Sequence, residues 1–174
     1  MSLPPELGLF LVALVGVAVL FDVRFGRIPN GLLLTILGLG LAARLGLAGP
    51  TSGLLAASGG LAVGLAIWMG PFALRWVGAA DVKLVAAMGA WLGPLATFRV
   101  SLAAALAGGL MGLVYLLAKR RRFALDAMQV QLLQFRVMRR FSPGTEEAVR
   151  ERGMPYAVAI LAGLLTEMLL SGQL

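Results

Sequence analysis

Six long apolar segments follow one another along this chain, and most of the breaks between them are short. They cover about residues 7–21, 32–47, 54–77, 82–98, 100–118 and 155–170. A membrane-spanning helix needs about 20 apolar residues, within a range of about 17–25. Hydrophobic residues make up 60% of the sequence and charged residues only 13%, which is unusual for a soluble domain. The sequence predicts an all-α polytopic membrane protein with six transmembrane helices in a single domain, residues 1–174.

The residue types that are missing limit the chemistry. The chain has no cysteine and no histidine, which excludes disulfides, Cys-based zinc sites, Ser-His-Asp triads and histidine-ligated metals. Any catalysis must therefore come from carboxylate, hydroxyl, lysine or arginine side chains. We expect neither a metal nor a cofactor.

The basic residues are distributed unevenly between the two sides of the predicted bundle. If the N-terminus lies outside, all but two of the 15 Lys and Arg residues fall on the cytoplasmic side, the exceptions being Arg44 and Arg99. Cytoplasmic loops carry such an excess of positive charge. We therefore expect an N-out, C-out membrane protein, and the net charge of +7 needs no nucleic-acid partner to explain it.

The long polar segment of residues 119–154 has a pattern of its own. Between Phe123 and Phe141, apolar residues recur at steps of three and four, with arginines among them. This pattern is typical of an amphipathic helix on a membrane surface, and the basic run at 119–122 would hold it near anionic lipids. Such a cytoplasmic helix between the fifth and sixth spans is predicted, and a substrate-docking role remains an alternative.

Three carboxylates lie in or at the ends of apolar segments. Asp22 directly follows the first segment and Asp81 opens the fourth, so the predicted topology places both at the cytoplasmic face. Glu167 falls near the outer end of the last segment. Ionisable residues within spans are costly and indicate function by default. The structural alternative is that Asp22 pairs with Arg24 or Arg27 and Asp81 with Lys83.

Three stretches of the sequence carry a family resemblance. Residues 22–30 read Asp-Val-Arg-Phe-Gly-Arg-Ile-Pro-Asn, residues 78–85 read Gly-Ala-Ala-Asp-Val-Lys-Leu-Val, and residues 153–160 read Gly-Met-Pro-Tyr-Ala-Val-Ala-Ile. In order and spacing they resemble the type IV prepilin peptidase family of A24-type intramembrane aspartic proteases. The resemblance is to its short branch, associated with tight-adherence (Flp-type) pili, which implies that the methyltransferase domain of longer members is lacking. Ala80 and Ala157 stand where the family usually has glycine.

The resemblance implies that Asp22 and Asp81 are the catalytic pair of a prepilin leader peptidase. Amide hydrolysis needs a base to activate water and an acid to polarise the carbonyl group. Two close carboxylates that share one proton supply both, although the sequence does not indicate which of them is the base. Other residues of the motifs are expected to shape the site, namely Arg24, Pro29, Asn30, Gly78, Lys83 and Pro155.

The same resemblance implies the partners and a location in the bacterial inner membrane, with the active site facing the cytoplasm. The expected substrate is a pilin or pseudopilin precursor with a basic leader in the cytoplasm and an apolar helix in the bilayer, cut at the cytoplasmic membrane face. Membrane lipids are the other expected partners, and the sequence does not indicate whether the chain forms a homo-oligomer. Two other functions stay open: a proton-coupled transporter, in which the carboxylates relay protons, and a non-catalytic membrane subunit of pilus assembly.

Overall fold

The computed structural model describes residues 4–118 and 156–172, and for residues 115–118 it describes the backbone alone. All the regular structure within these ranges is α-helical, as the apolar segments predict. The helices are α1 (Pro5–Phe25), α2 (Asn30–Ala48), α3 (Pro50–Ala73), α4 (Ala79–Leu92), α5 (Pro94–Ala118) and α6 (Tyr156–Leu170). The predicted amphipathic helix and Pro155 lie outside the described residues.

The helices differ in their ability to cross a membrane. Within the described ranges, α1, α2, α3 and residues 94–114 of α5 are long and apolar enough to do so. The other two are shorter, with 14 residues in α4 and 15 in α6. At 1.5 Å per residue, 14 residues reach only about 21 Å, against about 30 Å for the apolar core of a bilayer. The count of six spans therefore stays a prediction.

Helix ends differ from the sequence prediction at two places that matter. Asp22 lies inside the last turn of α1 and does not follow the helix, because α1 continues to Phe25 and ends at Gly26. Gly26 adopts a φ of 64°, and its N–H donates to the main-chain oxygen of Asp22 at 2.7 Å. Many helices end at a glycine in this left-handed conformation. An aspartate such as Asp22 does not by itself end a helix.

The break between the fourth and fifth segments was expected beside Arg99 and instead lies at Gly93. Gly93 ends α4 with a φ of 80°, and Pro94 begins α5. Glycine after a helix and proline at the first helical position are the usual signals for such a junction. Arg99 consequently lies in the second turn of α5 and not in a loop.

The central element is α4, which contacts each of the other five described helices. Ten of its fourteen residues are buried. Its backbone is in direct contact with that of α3. A Cβ atom added to Gly60 would collide with the main-chain oxygen of Gly89, and a Cβ atom added to Gly89 would collide with the main-chain oxygen of Gly60. Small residues permit such close approach between membrane helices. The helix that carries Asp81 is therefore tightly enclosed by protein.

The last helix, α6, runs antiparallel to α5. Tyr156 at its beginning packs against Gly108, and Glu167 in its last turn is paired with Arg99 near the beginning of α5, with 3.5 Å between Oε1 and Nη1. The first turns of α4 and α6 and the last turn of α1 consequently lie towards the same end of the bundle. Glu167 lies towards the opposite end, as its position in the sequence predicts.

Candidate active site

The two aspartates approach each other although 59 positions separate them in the chain. Asp22 projects from the last turn of α1 and Asp81 from the first turn of α4, and their carboxyl groups are close enough for the charges to interact. Asp22 is partly buried, and Asp81 is only 8% exposed. Two acidic groups from separate helices thus share one region of an otherwise apolar bundle.

The carboxyl group of Asp81 is held by the start of its own helix. The N–H of Gly78, the residue before α4, donates to Oδ2 of Asp81 at 3.2 Å. This contact satisfies one of the N–H groups that a helix leaves unpaired at its beginning. The other oxygen, Oδ1, is buried and has no hydrogen-bond partner among the described residues. Buried polar atoms of this kind are rare and often belong to functional sites.

The first turn of α6 reaches both aspartates. The backbone amide of Ala157 lies within interaction range of the Asp22 carboxyl group. The phenol of Tyr156 lies close enough to Asp81 to interact electrostatically with its carboxylate. Because the N-terminus of a helix carries partial positive charge, this turn provides a favourable environment for an acidic pair.

Tyr156 is held in place by its ring. The ring packs edge-on against Trp68 of α3, with 5.3 Å between centroids. The Trp68 indole in turn donates from Nε1 to Oγ of Ser101 on α5 at 3.1 Å. Gly108 leaves the space that the ring occupies, since a Cβ atom there would collide with the phenol. The wall of the site is therefore built from α3, α5 and α6.

The other predicted site residues within the described ranges make contacts of their own and none with the carboxyl groups of Asp22 and Asp81, apart from Gly78. Pro29 precedes α2 and Asn30 begins it, so they do mark the start of the second helix. Nζ of Lys83 donates to Oδ1 of Asn30 at 3.4 Å, which links the start of α2 to the first turn of α4. Arg24 is exposed and lies 6.0 Å from the centre of the Phe25 ring.

The salt bridges considered as a structural alternative do not form in the part of the chain that the structure describes. There, Asp22 pairs with neither Arg24 nor Arg27, and Lys83 hydrogen bonds to an amide oxygen and not to Asp81. The burial of the aspartates is therefore not explained by neutralisation within their own helices. Among the described residues, no three carboxylates are grouped in the way that metal ligands would be.

Comparison with known sequences identifies the wider group. The sequence model described as the type IV leader peptidase family matches residues 9–113, more than half of the chain. The chain belongs to this family. The match includes Asp22 and Asp81 and runs from α1 into α5, whereas α6 lies beyond it.

Two relatives from Burkholderia pseudomallei, in strains 1026b and K96243, are each named prepilin leader peptidase/N-methyltransferase. Each is 37% identical to this leader peptidase family member over 109 residues. The alignment covers 59% of the chain but only 35% of each relative, so the chain spans about a third of their length. No solved structure matches the chain.

The two alanines at positions where the resemblance leads one to expect glycine cause no backbone strain. Ala80 lies in α4 and Ala157 in α6, and Arg75 is the non-glycine residue with positive φ among those described. Ala157 is fully buried, so its methyl group is accommodated by packing. Glycine is required only where φ is positive or where another backbone approaches closely.

Sequence reasoning missed the surroundings of the acidic pair. Trp68 and Ser101 were not singled out, and Tyr156 was noted only as part of a motif. Their signal in the sequence is weak: a tryptophan and a serine, each alone within an apolar segment, can equally face lipid, solvent or protein. The contact between the two side chains decides their role, and it joins segments 33 positions apart.

Proposed function

We propose that this member of the leader peptidase family is an intramembrane aspartic endopeptidase. It would remove the basic leader of type IV or Flp-type pilin and pseudopilin precursors, with Asp22 and Asp81 as the catalytic pair. The observation that carries the proposal is the approach of these two acidic groups from separate helices, with one oxygen of Asp81 buried and unpaired among the described residues. Such a pair has the composition that metal-free amide hydrolysis requires.

The proposed reaction uses one shared proton. The ionised carboxylate takes a proton from water, whose oxygen attacks the scissile carbonyl carbon while the protonated partner hydrogen bonds to the carbonyl oxygen. The tetrahedral intermediate then collapses, the C–N bond breaks, and a carboxyl group returns a proton to the leaving amine. The products are the leader with a new carboxylate and the mature pilin with a new amino terminus. Either aspartate fits the role of base.

Tyr156 is proposed as a positioning residue for Asp81. Its phenol lies near the Asp81 charge. Its ring packs against Trp68 and against the backbone at Gly108, where the absence of a side chain makes room for it. The hydroxyl group donates to the main-chain oxygen of Ala104, and its proposed effect on the carboxyl group of Asp81 is electrostatic. The amide of Ala157 is proposed to restrain Asp22.

The proposed topology has six spans and both termini outside, with the aspartates at the cytoplasmic face of the bacterial inner membrane. The uneven distribution of lysine and arginine supports it. The aspartates project from the last turn of α1 and the first turn of α4, which suits a scissile bond between a cytoplasmic leader and a membrane-embedded pilin helix.

The test is cleavage of a pilin precursor by the purified chain in detergent, followed by mass spectrometry of both products. Asp22→Asn and Asp81→Asn should each reduce the rate by at least about a hundredfold, the lower range for loss of an acid or base. Glu6→Gln is the matched control, because Glu6 is exposed in the first turn of α1, far along that helix from Asp22. Normal cleavage by either asparagine variant would refute the catalytic pair.

The same preparation separates the other two functions. A proton-coupled transporter would acidify or alkalinise liposomes in a manner that depends on Asp22 and Asp81, without cutting the precursor. A non-catalytic assembly subunit would neither cut nor move protons, and its asparagine variants would still support pilus assembly. The proposed peptidase predicts that both variants fold, fail to cut and fail to support assembly.

A further inference from the structure

A cavity of about 580 Å³ lies towards the end of the bundle opposite the aspartates. It is bounded by the last turns of α2, the start of α3, the α4–α5 junction, the start of α5 and the end of α6. Its polar lining includes Arg44, Ser52, Arg99, Glu167 and Ser171. The proposed peptidase reaction uses none of these residues.

The charged side chains among the described residues that line this cavity are of both signs. Glu167 is buried, with 9% of its side chain exposed, whereas 58% of the Arg99 side chain is exposed. Their closest approach, 3.5 Å, is long for a charge-assisted hydrogen bond, which is usually about 2.7–2.9 Å. Arg44 adds a second guanidinium group, anchored at the end of α4. Among the described residues, the cavity lining thus includes two guanidinium groups and the buried carboxylate of Glu167.

These charged groups lie close to the ends of their helices. Arg99 is the sixth residue of α5, Glu167 lies three residues before the end of α6, and Arg44 lies four residues before the end of α2. At 1.5 Å per residue they lie about 5–8 Å inside the helix ends. The polar region on each side of a bilayer is about as thick as that.

An apolar strip on α5 leads away from the cavity. Leu95, Phe98 and Leu102 are exposed by 64%, 52% and 56% of their surface. Their spacing of three and four residues places them on one side of the helix, next to Arg99 in the sequence, and Leu95 also lines the cavity. An acyl chain that followed this strip would bring its headgroup to the cavity.

We propose that the cavity binds the headgroup of an ethanolamine phospholipid. The phosphate would lie beside the exposed guanidinium group of Arg99, and the primary ammonium would donate to the carboxylate of Glu167. An anionic headgroup without an ammonium would leave Glu167 facing negative charge. A choline headgroup carries a positive charge, but its quaternary nitrogen has no N–H to donate. The mixed charges of the cavity therefore favour the ethanolamine class, and this inference is independent of the proposed protease activity.

The test is native mass spectrometry of the purified, delipidated chain titrated with phospholipids that share the same acyl chains. The ethanolamine lipid and its mono-, di- and trimethylated forms are compared. We expect the trimethylated form to bind about tenfold more weakly, as loss of a hydrogen bond to a charged group implies, with the main loss at the last methyl group. Equal affinity of the unsubstituted chain for all four lipids would by itself overturn the proposal.

Two variants and one control sharpen the result. Glu167→Gln should remove the preference for ethanolamine over choline, whereas Arg99→Gln should weaken binding of both lipids together. Glu6→Gln should leave both affinities unchanged. Two results would overturn the assignment in favour of a simple anion site. One is tighter binding of an anionic phospholipid with a glycerol headgroup than of the ethanolamine form, and the other is displacement of the lipid by millimolar inorganic phosphate.

Discussion

Arg44 in α2 donates a hydrogen bond from Nε to the main-chain oxygen of Trp91, near the end of α4, with a distance of 2.6 Å between the two atoms. Its Nη2 also donates to the main-chain oxygen of Leu92 at 2.5 Å. In return, the Trp91 indole donates to the main-chain oxygen of Ile36 in α2 at 2.7 Å. The helix that carries Asp81 is therefore fixed at the end that lies away from Asp81.

The anchoring by Arg44 predicts a large loss of stability when its guanidinium group is removed. In Arg44→Gln, two carbonyl groups at the end of α4 lose their donors, and each unpaired buried acceptor costs about 1–3 kcal/mol. The favourable interaction of a cation with the C-terminus of a helix is lost as well. We expect a decrease of about 2–4 kcal/mol in the free energy of unfolding, measured by denaturant titration in detergent micelles.

The matched control for this prediction is Arg27→Gln. Arg27 is exposed, and substitutions at such positions usually change stability by less than about 0.5 kcal/mol. If both variants unfold at the same denaturant concentration as the original chain, Arg44 does not anchor α4.

The contact between α3 and α4 predicts that Gly60→Ala is strongly destabilising. The added methyl group would meet the main-chain oxygen of Gly89, and backbone atoms cannot move aside as a flexible side chain can. We expect a loss of at least about 2 kcal/mol, within the range for overpacked interiors. Cleavage should also fall, because α4 would shift relative to α1.

Gly16→Ala in α1 is the control for the glycine prediction. A Cβ atom at Gly16 meets nothing within 4 Å, and alanine is favoured over glycine inside helices by up to about 1 kcal/mol. This variant should be unchanged or slightly more stable in the same titration. A loss of stability equal to that of Gly60→Ala would show that the close contact is not the cause.

The contact between Lys83 and Asn30 predicts a small effect on stability. The pair is exposed, and its hydrogen bond is long at 3.4 Å. Exposed polar pairs usually contribute less than about 1 kcal/mol. Lys83→Gln should therefore lower the free energy of unfolding by at most about 0.5 kcal/mol, in the same micelles. A loss of 2 kcal/mol or more, beyond the ~1 kcal/mol that such pairs contribute, would show that the link holds α2 against α4.

Much of the fold could be predicted because the signals are local. Apolar length indicates the number of helices, and the glycine and proline at positions 93 and 94 could have located the α4–α5 junction better than Arg99 did. The sequence also predicted correctly that Asp22 and Asp81 lie at one end of the bundle and Glu167 at the other, since consecutive membrane helices alternate in direction.

The interior contacts could not be predicted in the same way. Helices that are hydrophobic on all sides carry no pattern that separates a lipid-facing side from a protein-facing side. Arg44 illustrates the difficulty: the sequence assigns it to the outer side but does not reveal that it is 5% exposed and hydrogen bonded to α4. The partner of such a residue is set by packing between segments that are distant in the sequence.

The position of Tyr156 predicts a variant that separates packing from function. Tyr156→Phe keeps the ring against Trp68 and Gly108 and removes only the hydroxyl group, whose contact with the main-chain oxygen of Ala104 is long at 3.5 Å. The free energy of unfolding should change by less than about 1 kcal/mol. The cleavage rate at saturating precursor should fall about tenfold, with KM unchanged, because the hydroxyl group is proposed to act on Asp81 and not on the substrate. An unchanged rate would restrict Tyr156 to packing.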